Sequence, residues 1–212
     1  MIRIVLFALL ALGAALPCAA QYPDRPLTLL AGFPAGGLVD IVSRVLAEGM
    51  KPKFPKGVVV VNRPGAGGSV AVSEVVQAKP DGYTILLTPQ SSLVIAPQMN
   101  PNLSYKTPDE YDPVINVIAY YPLLVVNADA QWKTIQEFVA DGKANPGKFR
   151  VGTPGEGTAS HLNLEEFIFR TGAKLTPVPY AGWGQSSPAL LGEHIEAVVA
   201  QPGEAKPMVE PK

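Results

Sequence analysis

Leu27-Thr28-Leu29-Leu30-Ala31 is a short apolar run, and Gly32-Phe33-Pro34-Ala35-Gly36-Gly37 follows it at once. Beyond the glycines, Ile41, Val42, Val45 and Leu46 recur at helical spacing and are expected to form one buried face. A buried strand, a glycine-rich loop and an amphipathic helix, in that order, make the repeating unit of a parallel α/β sheet. The unit recurs downstream. Val58 to Val61 is β-branched throughout and reads as a strand. Asn62-Arg63-Pro64-Gly65-Ala66-Gly67-Gly68 reads as the next loop, and Val70 to Ala78 as a helix of small residues. Tyr83 to Leu87 predicts a third strand, entering a loop Thr88-Pro89-Gln90-Ser91-Ser92.

From Asn100 to Asp112 prolines and polar residues break the pattern, which predicts a linker. The alternation restarts with strands expected at Val114 to Ala119 and Leu123 to Val126. Thr134 and Glu137 have the spacing of a capping box, before a helix presenting Ile135, Phe138 and Val139. Asn145-Pro146-Gly147 ends that helix. A strand at Phe149 to Gly152, a glycine loop at Thr153 to Thr158 and a helix at Leu162 to Phe169 come next. Leu175 to Val178 and Ile195 to Ala200 read as strands. Between them Ser187-Pro188 is expected to start a short helix as N-cap and first residue, with Gly192 at its end. The expectation is two α/β lobes, residues 21–112 and 113–212, facing a common cleft.

The chain has 212 residues, 47% of them apolar, which excludes a wholly disordered protein. Seventeen basic against 18 acidic side chains give a net charge of −1, so there is no broad electrostatic footprint for nucleic acid. Met1-Ile2-Arg3, the apolar run Ile4 to Leu16 and Cys18-Ala19-Ala20 have the order of a signal peptide, residues 1–20, with cleavage after Ala20. A lipid anchor at Cys18 is the weaker alternative, because Leu16-Pro17 is a poor processing context. Cleavage removes Arg3, for a mature charge of −2, and also the only cysteine. An exported chain then has no disulfide, no thiol nucleophile and no thiolate zinc site. The expected location is periplasmic.

Catalytic signals are weak. His161 and His194 lie in different segments, and His161 with Glu165 makes only two ligands at helical spacing, too few for a metal. Ser160 and His161 are neighbours, which do not face each other on a helix. No Gly-x-Ser-x-Gly elbow is present. Neither metal nor cofactor is expected. The glycine loops say more: at strand-to-helix junctions they expose helix N-termini, whose free N–H groups and positive dipole hold a carboxylate without a basic side chain. Neither loop carries the lysine-hydroxyl pair of a phosphate loop. Trp183 reads equally as a cleft-lip aromatic or a packed loop residue.

An ordered set of short motifs runs through the chain. It begins with Tyr22-Pro23-Asp24-Arg25-Pro26 and Phe33-Pro34-Ala35-Gly36-Gly37 followed by Asp40. Asn62-Arg63-Pro64-Gly65-Ala66-Gly67-Gly68, Asp81-Gly82-Tyr83-Thr84 and Asn145-Pro146-Gly147-Lys148 continue it. Gly155-Glu156-Gly157-Thr158-Ala159-Ser160-His161-Leu162, Val178-Pro179-Tyr180 and Leu190-Leu191-Gly192 complete it. In these residues the chain resembles the periplasmic solute-binding proteins of tripartite tricarboxylate transporters, the Bug family of extracytoplasmic receptors.

The resemblance implies a two-lobe venus-flytrap fold of the type II-like periplasmic-binding-protein class. It implies a receptor that catalyses nothing, binds a small organic carboxylate and delivers it to membrane permease subunits. A di- or tricarboxylate, an amino acid or an aromatic acid would all suit, and a monomer is expected. Carried over, the carboxylate would be held by Phe33, Pro34, Ala35, Gly36 and Gly37 in the first lobe and by Gly157, Thr158, Ala159 and Ser160 in the second. Gln90, Ser91 and Gln201 would face the variable end of the ligand. Leu38-Val39 stand where relatives commonly carry small or hydroxyl residues, so one side-chain donor is expected to be missing; Ala181 and Trp183 replace more polar choices, which points to a less polar ligand. Relatives also run well past the position of Lys212, so the chain is expected to be truncated, its first lobe incomplete. Two rivals remain: an exported hydrolase using Ser160 or Ser91 near a histidine, and a remnant that binds nothing.

Overall fold

The computed structural model describes residues 22–106, 108–119 and 121–209; the leader expected at residues 1–20 lies outside them. Strands β1 (Leu27–Ala31), β2 (Val58–Asn62) and β3 (Thr84–Leu87) form a parallel sheet in the order β2-β1-β3. Leu29 of the central strand pairs with Val60 on one side and Ile85 on the other. Central position explains composition: Leu27, Leu29, Leu30 and Ala31 are all buried, as a strand covered on both faces requires. Helices α1 (Leu38–Met50), α2 (Ser69–Gln77), α3 (Gln90–Val94) and α4 (Ala96–Met99) connect and follow these strands.

The second sheet has the order β4-β7-β5-β6, from β4 (Leu123–Val125), β5 (Arg150–Thr153), β6 (Thr176–Pro179) and β7 (Ala197–Ala200). β5 runs parallel to β6 and β7, while β4 lies antiparallel to β7 at the edge. Its helices are α5 (Ile135–Ala144), α6 (Ala159–Thr171), α7 (Trp183–Leu191) and α8 (Pro202–Val209). One core packs Phe138, Phe149, Val151, Leu164 and Leu175 together. Trp132 meets Phe138 and Phe149 edge-on at centroid distances of 4.9 and 5.0 Å, the favoured geometry for aromatic rings. A second cluster, of Leu190, Ile195, Val198 and Ala200, supports Trp183 and Tyr180.

Several expectations need correction. In α1 the expected apolar face is covered only in part: Val42 and Leu46 are half-buried, but Ile41 is 41% and Val45 66% exposed, while Asp40, Ser43 and Ala47 are buried. Small residues let the helix lie close on its sheet, and Asp40 has partners that periodicity cannot show. Val114 to Ala119 forms no strand and, among the described residues, pairs with none, and Val114 is 86% exposed. Gln90 and Ser91 open helix α3 rather than lying in a loop, with Pro89 as N-cap. Ser187-Pro188 does not begin α7; Gly182 caps it and Pro188 sits inside it. There Ser187 Oγ donates to Trp183 O at 2.9 Å.

The Thr134–Glu137 box forms in half. Thr134 Oγ1 accepts the Glu137 N–H at 3.2 Å, but the Glu137 carboxylate takes the N–H of Lys133 at 2.6 Å. The segment read as a linker is anchored: Tyr105 is fully buried and its hydroxyl donates to Ser92 O at 2.6 Å. Helix α8 had no counterpart in the sequence reading.

Candidate functional site

The first half of the site is the loop from Phe33 to Gly37. Gly36 takes the left-handed φ of +83°, where a side chain would strain the backbone. Its N–H donates to Asp40 Oδ2 at 3.0 Å, and Arg44 Nε donates to the same oxygen at 3.0 Å. Asn62 Nδ2 donates both to Phe33 O and to Asp40 Oδ1, each at 3.0 Å. Burial by itself would raise the Asp40 carboxyl; the hydrogen bonds from Arg44, Gly36 and Asn62 outweigh it and hold the group below its ordinary value. The buried acid is therefore an anionic post on which the loop is fixed.

The second half is the start of α6. Thr158 Oγ1 accepts the N–H of His161 at 3.3 Å and donates to Gly155 O at 2.7 Å, so the turn is closed by its own cap. Ala159 and Ser160 occupy the first helical positions, whose N–H groups have no intrahelical acceptor. Gln201, just past β7, donates from Nε2 to Ser160 Oγ at 3.0 Å. The Gln201 Oε1 and Ser91 Oγ atoms are buried without a hydrogen-bond partner.

Both sheets turn strand carboxyl ends toward one cleft, the place where open α/β sheets bind ligands. The β1–α1 turn contributes Phe33, Pro34, Gly37, Leu38 and Val39, and the β3–α3 turn Pro89 and Ser91. From the other side come Pro154, Thr158, Ala159, Ser160, Gly182, Trp183, Gln201 and Glu204. The cleft is narrow, with a cavity volume of about 50 Å³, and it opens to solvent. Among the described residues no lysine or arginine lines it, and Glu204 is the one ionisable side chain that does. The lobes meet through glycines: a Cβ at Gly182 would stand 3.2 Å from Pro34 Cδ, and one at Gly157 would stand 3.0 Å from Met99 Sδ.

Of the residues named from sequence, the fold brings Phe33, Pro34, Gly37, Ser91, Thr158, Ala159, Ser160 and Gln201 together in this cleft. Ala35, Gly36 and Gln90 do not line it. Gly157 lines a wider neighbouring opening, which shares Phe33 and Pro154 with the cleft. Trp183 proves to be both things at once, a cleft wall and a member of the second-lobe packing. Sequence reasoning missed Pro89, Pro154, Gly182 and Glu204. For Glu204 a signal existed: an acidic residue in the first turn of a helix opening Pro202-Gly203.

Among the described residues no hydrogen bond joins Ser91 or Ser160 to a histidine. The His161 ring sits 3.1 Å from Thr153 Oγ1 and 3.7 Å from Glu165. Among the described residues no cluster of three or more metal-ligating side chains exists.

A two-lobe α/β chain with a largely apolar cleft and a helix N-terminus directed at it has the fold of the periplasmic-binding-protein class. The match to the family described as tripartite tricarboxylate transporter family receptor extends over residues 42–211, and the chain belongs to that family. A Cupriavidus necator relative, the UPF0065 protein in the gbd 5' region, is 41% identical over 210 residues, covering 94% of this chain and 62% of its own. Protein BugT of Bordetella pertussis is 35% identical over 188 residues, covering 87% of this chain and 57% of its own.

Solved structures agree. One described as a periplasmic transporter superposes with a TM-score of 0.84 at 31% identity, covering 89% of this chain and 63% of that one. MatC of Rhodopseudomonas palustris with bound malate gives 0.80 at 26% identity, with 89% and 64% covered. An R. palustris protein with adipate gives 0.75 at 27%, with 89% and 63% covered. The chain spans about three fifths of the length of the curated relatives it matches.

Proposed function

We propose that this chain is the extracytoplasmic receptor of a tripartite tricarboxylate-type transporter, capturing a small organic carboxylate in the cleft and presenting it to membrane permease subunits. The observation that carries the reading is the start of α6. Ala159 and Ser160 offer free N–H groups at the positive end of a 13-residue helix, beside the hydroxyl of Ser160, in a cleft that no basic side chain lines among the described residues. Such a site holds a carboxylate by oriented amides, and the apolar wall of Phe33, Leu38, Val39 and Trp183 accommodates a carbon skeleton. Neighbours carrying malate and adipate are of the same chemical class. A periplasmic location fits the leader pattern of residues 1–20, and no described helix is long and apolar enough to cross a membrane.

The receptor carries out no reaction in this reading, and Ser160 serves as a ligand contact braced by Gln201. Titration calorimetry against mono- and dicarboxylates, hydroxy acids, amino acids and aromatic acids tests it. One saturable site for at least one acid, with no chemical change in the acid, is the expected result. Hydrolysis of an ester that disappears in Ser160→Ala, or no binding across the panel at millimolar acid, would overturn it.

A further inference from the structure

Of the helix N-termini that border the cleft, those of α6 and α1 are not equivalent. That of α6 is open. That of α1 is already filled by a carboxylate of the protein itself: Glu204 Oε1 accepts the Leu38 N–H at 2.9 Å, while Oε2 accepts the N–H of Gln201 at 2.9 Å. Beside this acid the Gln201 side chain, in a residue only 6% exposed, leaves Oε1 without a donor. One wall of the cleft thus presents an anion already engaged by two backbone N–H groups and, beside it, one acceptor, Gln201 Oε1, that the protein does not match; a buried acceptor demands a donor.

We propose that Glu204 is a specificity-determining residue: it reserves the α1 terminus, so the preferred ligand carries one carboxylate and, at its other end, a hydrogen-bond donor. This rests on the receptor reading, and it narrows the acids that reading allows. A ligand carboxylate seats on the amides of Ala159 and Ser160, where no resident anion competes. A second carboxylate at the Glu204 wall would set two anions close together in a poorly solvated space, which disfavours their joint ionisation. An amide, ammonium or hydroxyl there donates to Gln201 Oε1 and to the Glu204 carboxylate instead. Burial already pushes the Glu204 carboxyl above its ordinary value, against the lowering effect of the Leu38 and Gln201 N–H groups, so the wall tolerates further negative charge poorly.

The test compares matched probes that differ in one group: succinate with succinamate, glutarate with glutaramate, and adipate with adipamate. Calorimetric affinities are measured on the full chain and on Glu204→Gln. In the native chain the half-amide is expected to bind at least tenfold more tightly than its diacid for the best-fitting length. In Glu204→Gln that ratio should fall below about threefold, a change that a purely structural loss would not produce. The comparison within the native chain stands even where the variant fails to fold. Equal or tighter binding of the diacid overturns the inference and leaves the receptor reading intact. Absence of binding by all six probes overturns the inference alone where another acid of the calorimetric panel binds, and the receptor reading with it where none does.

Discussion

Asn62 and Asp40, at the end of β2 and the start of α1, are joined by a 3.0 Å hydrogen bond from Nδ2 to Oδ1. The bond links the end of one strand to the first turn of another strand's helix. Through the second contact of Asn62, to Phe33 O, it fixes the loop that forms one wall of the cleft. This explains why an aspartate lies buried on the sheet side of α1 while valine and isoleucine face outward.

Replacing Asp40 by alanine strands the Gly36 N–H, the Asn62 amide and Arg44 together. The expected loss is about 2–3 kcal/mol of unfolding free energy, the scale of leaving buried donors unmatched. Equilibrium denaturation measures it, and a change under about 0.5 kcal/mol, the usual range of a surface substitution, would show the network to be incidental.

The same acid sets a pH dependence. Its carboxyl titrates lower in the folded chain than in the unfolded one, so its contribution is present above the unfolded value of about 3.9 and is lost as pH falls through the folded value. Glu204 works in the opposite sense: its folded value is raised, so its contribution is full below the unfolded value and fades as pH rises through the folded one. Denaturation midpoints followed from pH 3 to 7 should show a shallower acid limb in Asp40→Asn than in the native chain. Superimposable limbs would contradict the assignment.

Two glycines with left-handed backbones separate strain from collision. At Gly36 (φ +83°) a Cβ meets nothing within 4 Å, so Gly36→Ala should cost only the conformational strain of about 1–2 kcal/mol. At Gly68 (φ +95°) a Cβ would lie 2.5 Å from Ser92 Oγ, the hydroxyl that holds Gly67 O at 2.7 Å. Gly68→Ala should therefore cost at least about 1 kcal/mol more, as overpacking does. Denaturant titration of both variants checks the order, and equal losses would mean that Ser92 simply moves aside.

Arg63 pairs with Glu74 at 2.8 Å, both side chains being largely in solvent, and it does not line the cleft. Arg63→Ala should lower stability by less than about 1 kcal/mol and leave the affinity for any bound acid unchanged. A tenfold loss of affinity at unchanged stability would reveal a direct charge clamp.

What could be read from sequence followed from local physics. The β1 run, its glycine loop and the helix after it announce themselves by apolar blocks and by glycines that punctuate them. The Thr158 cap is a local hydroxyl-to-amide contact. What escaped was long-range. The phase of α1 depends on Asn62, and the burial of Tyr105 depends on Ser92. The capping of Leu38 by Glu204 spans 166 residues of chain. Val114 to Ala119 has strand composition but no strand alongside it to pair with, and composition cannot supply one. Gln201 and Ser91 were named through family resemblance, not through any pattern of their own.

In the proposed function an organic carboxylate sits in the cleft at the start of α6. Thermal melts of the native chain and of Ala159→Leu, run across the same acid panel, test it most directly, because a larger side chain at a cleft-lining position fills the space. At 100 times its dissociation constant a bound acid adds about 2.7 kcal/mol, roughly 5–10 °C for a chain of this size. At least one acid should raise the native melting temperature by that amount and leave Ala159→Leu unmoved. A shift of equal size in both chains, or no shift with any acid, would contradict the account.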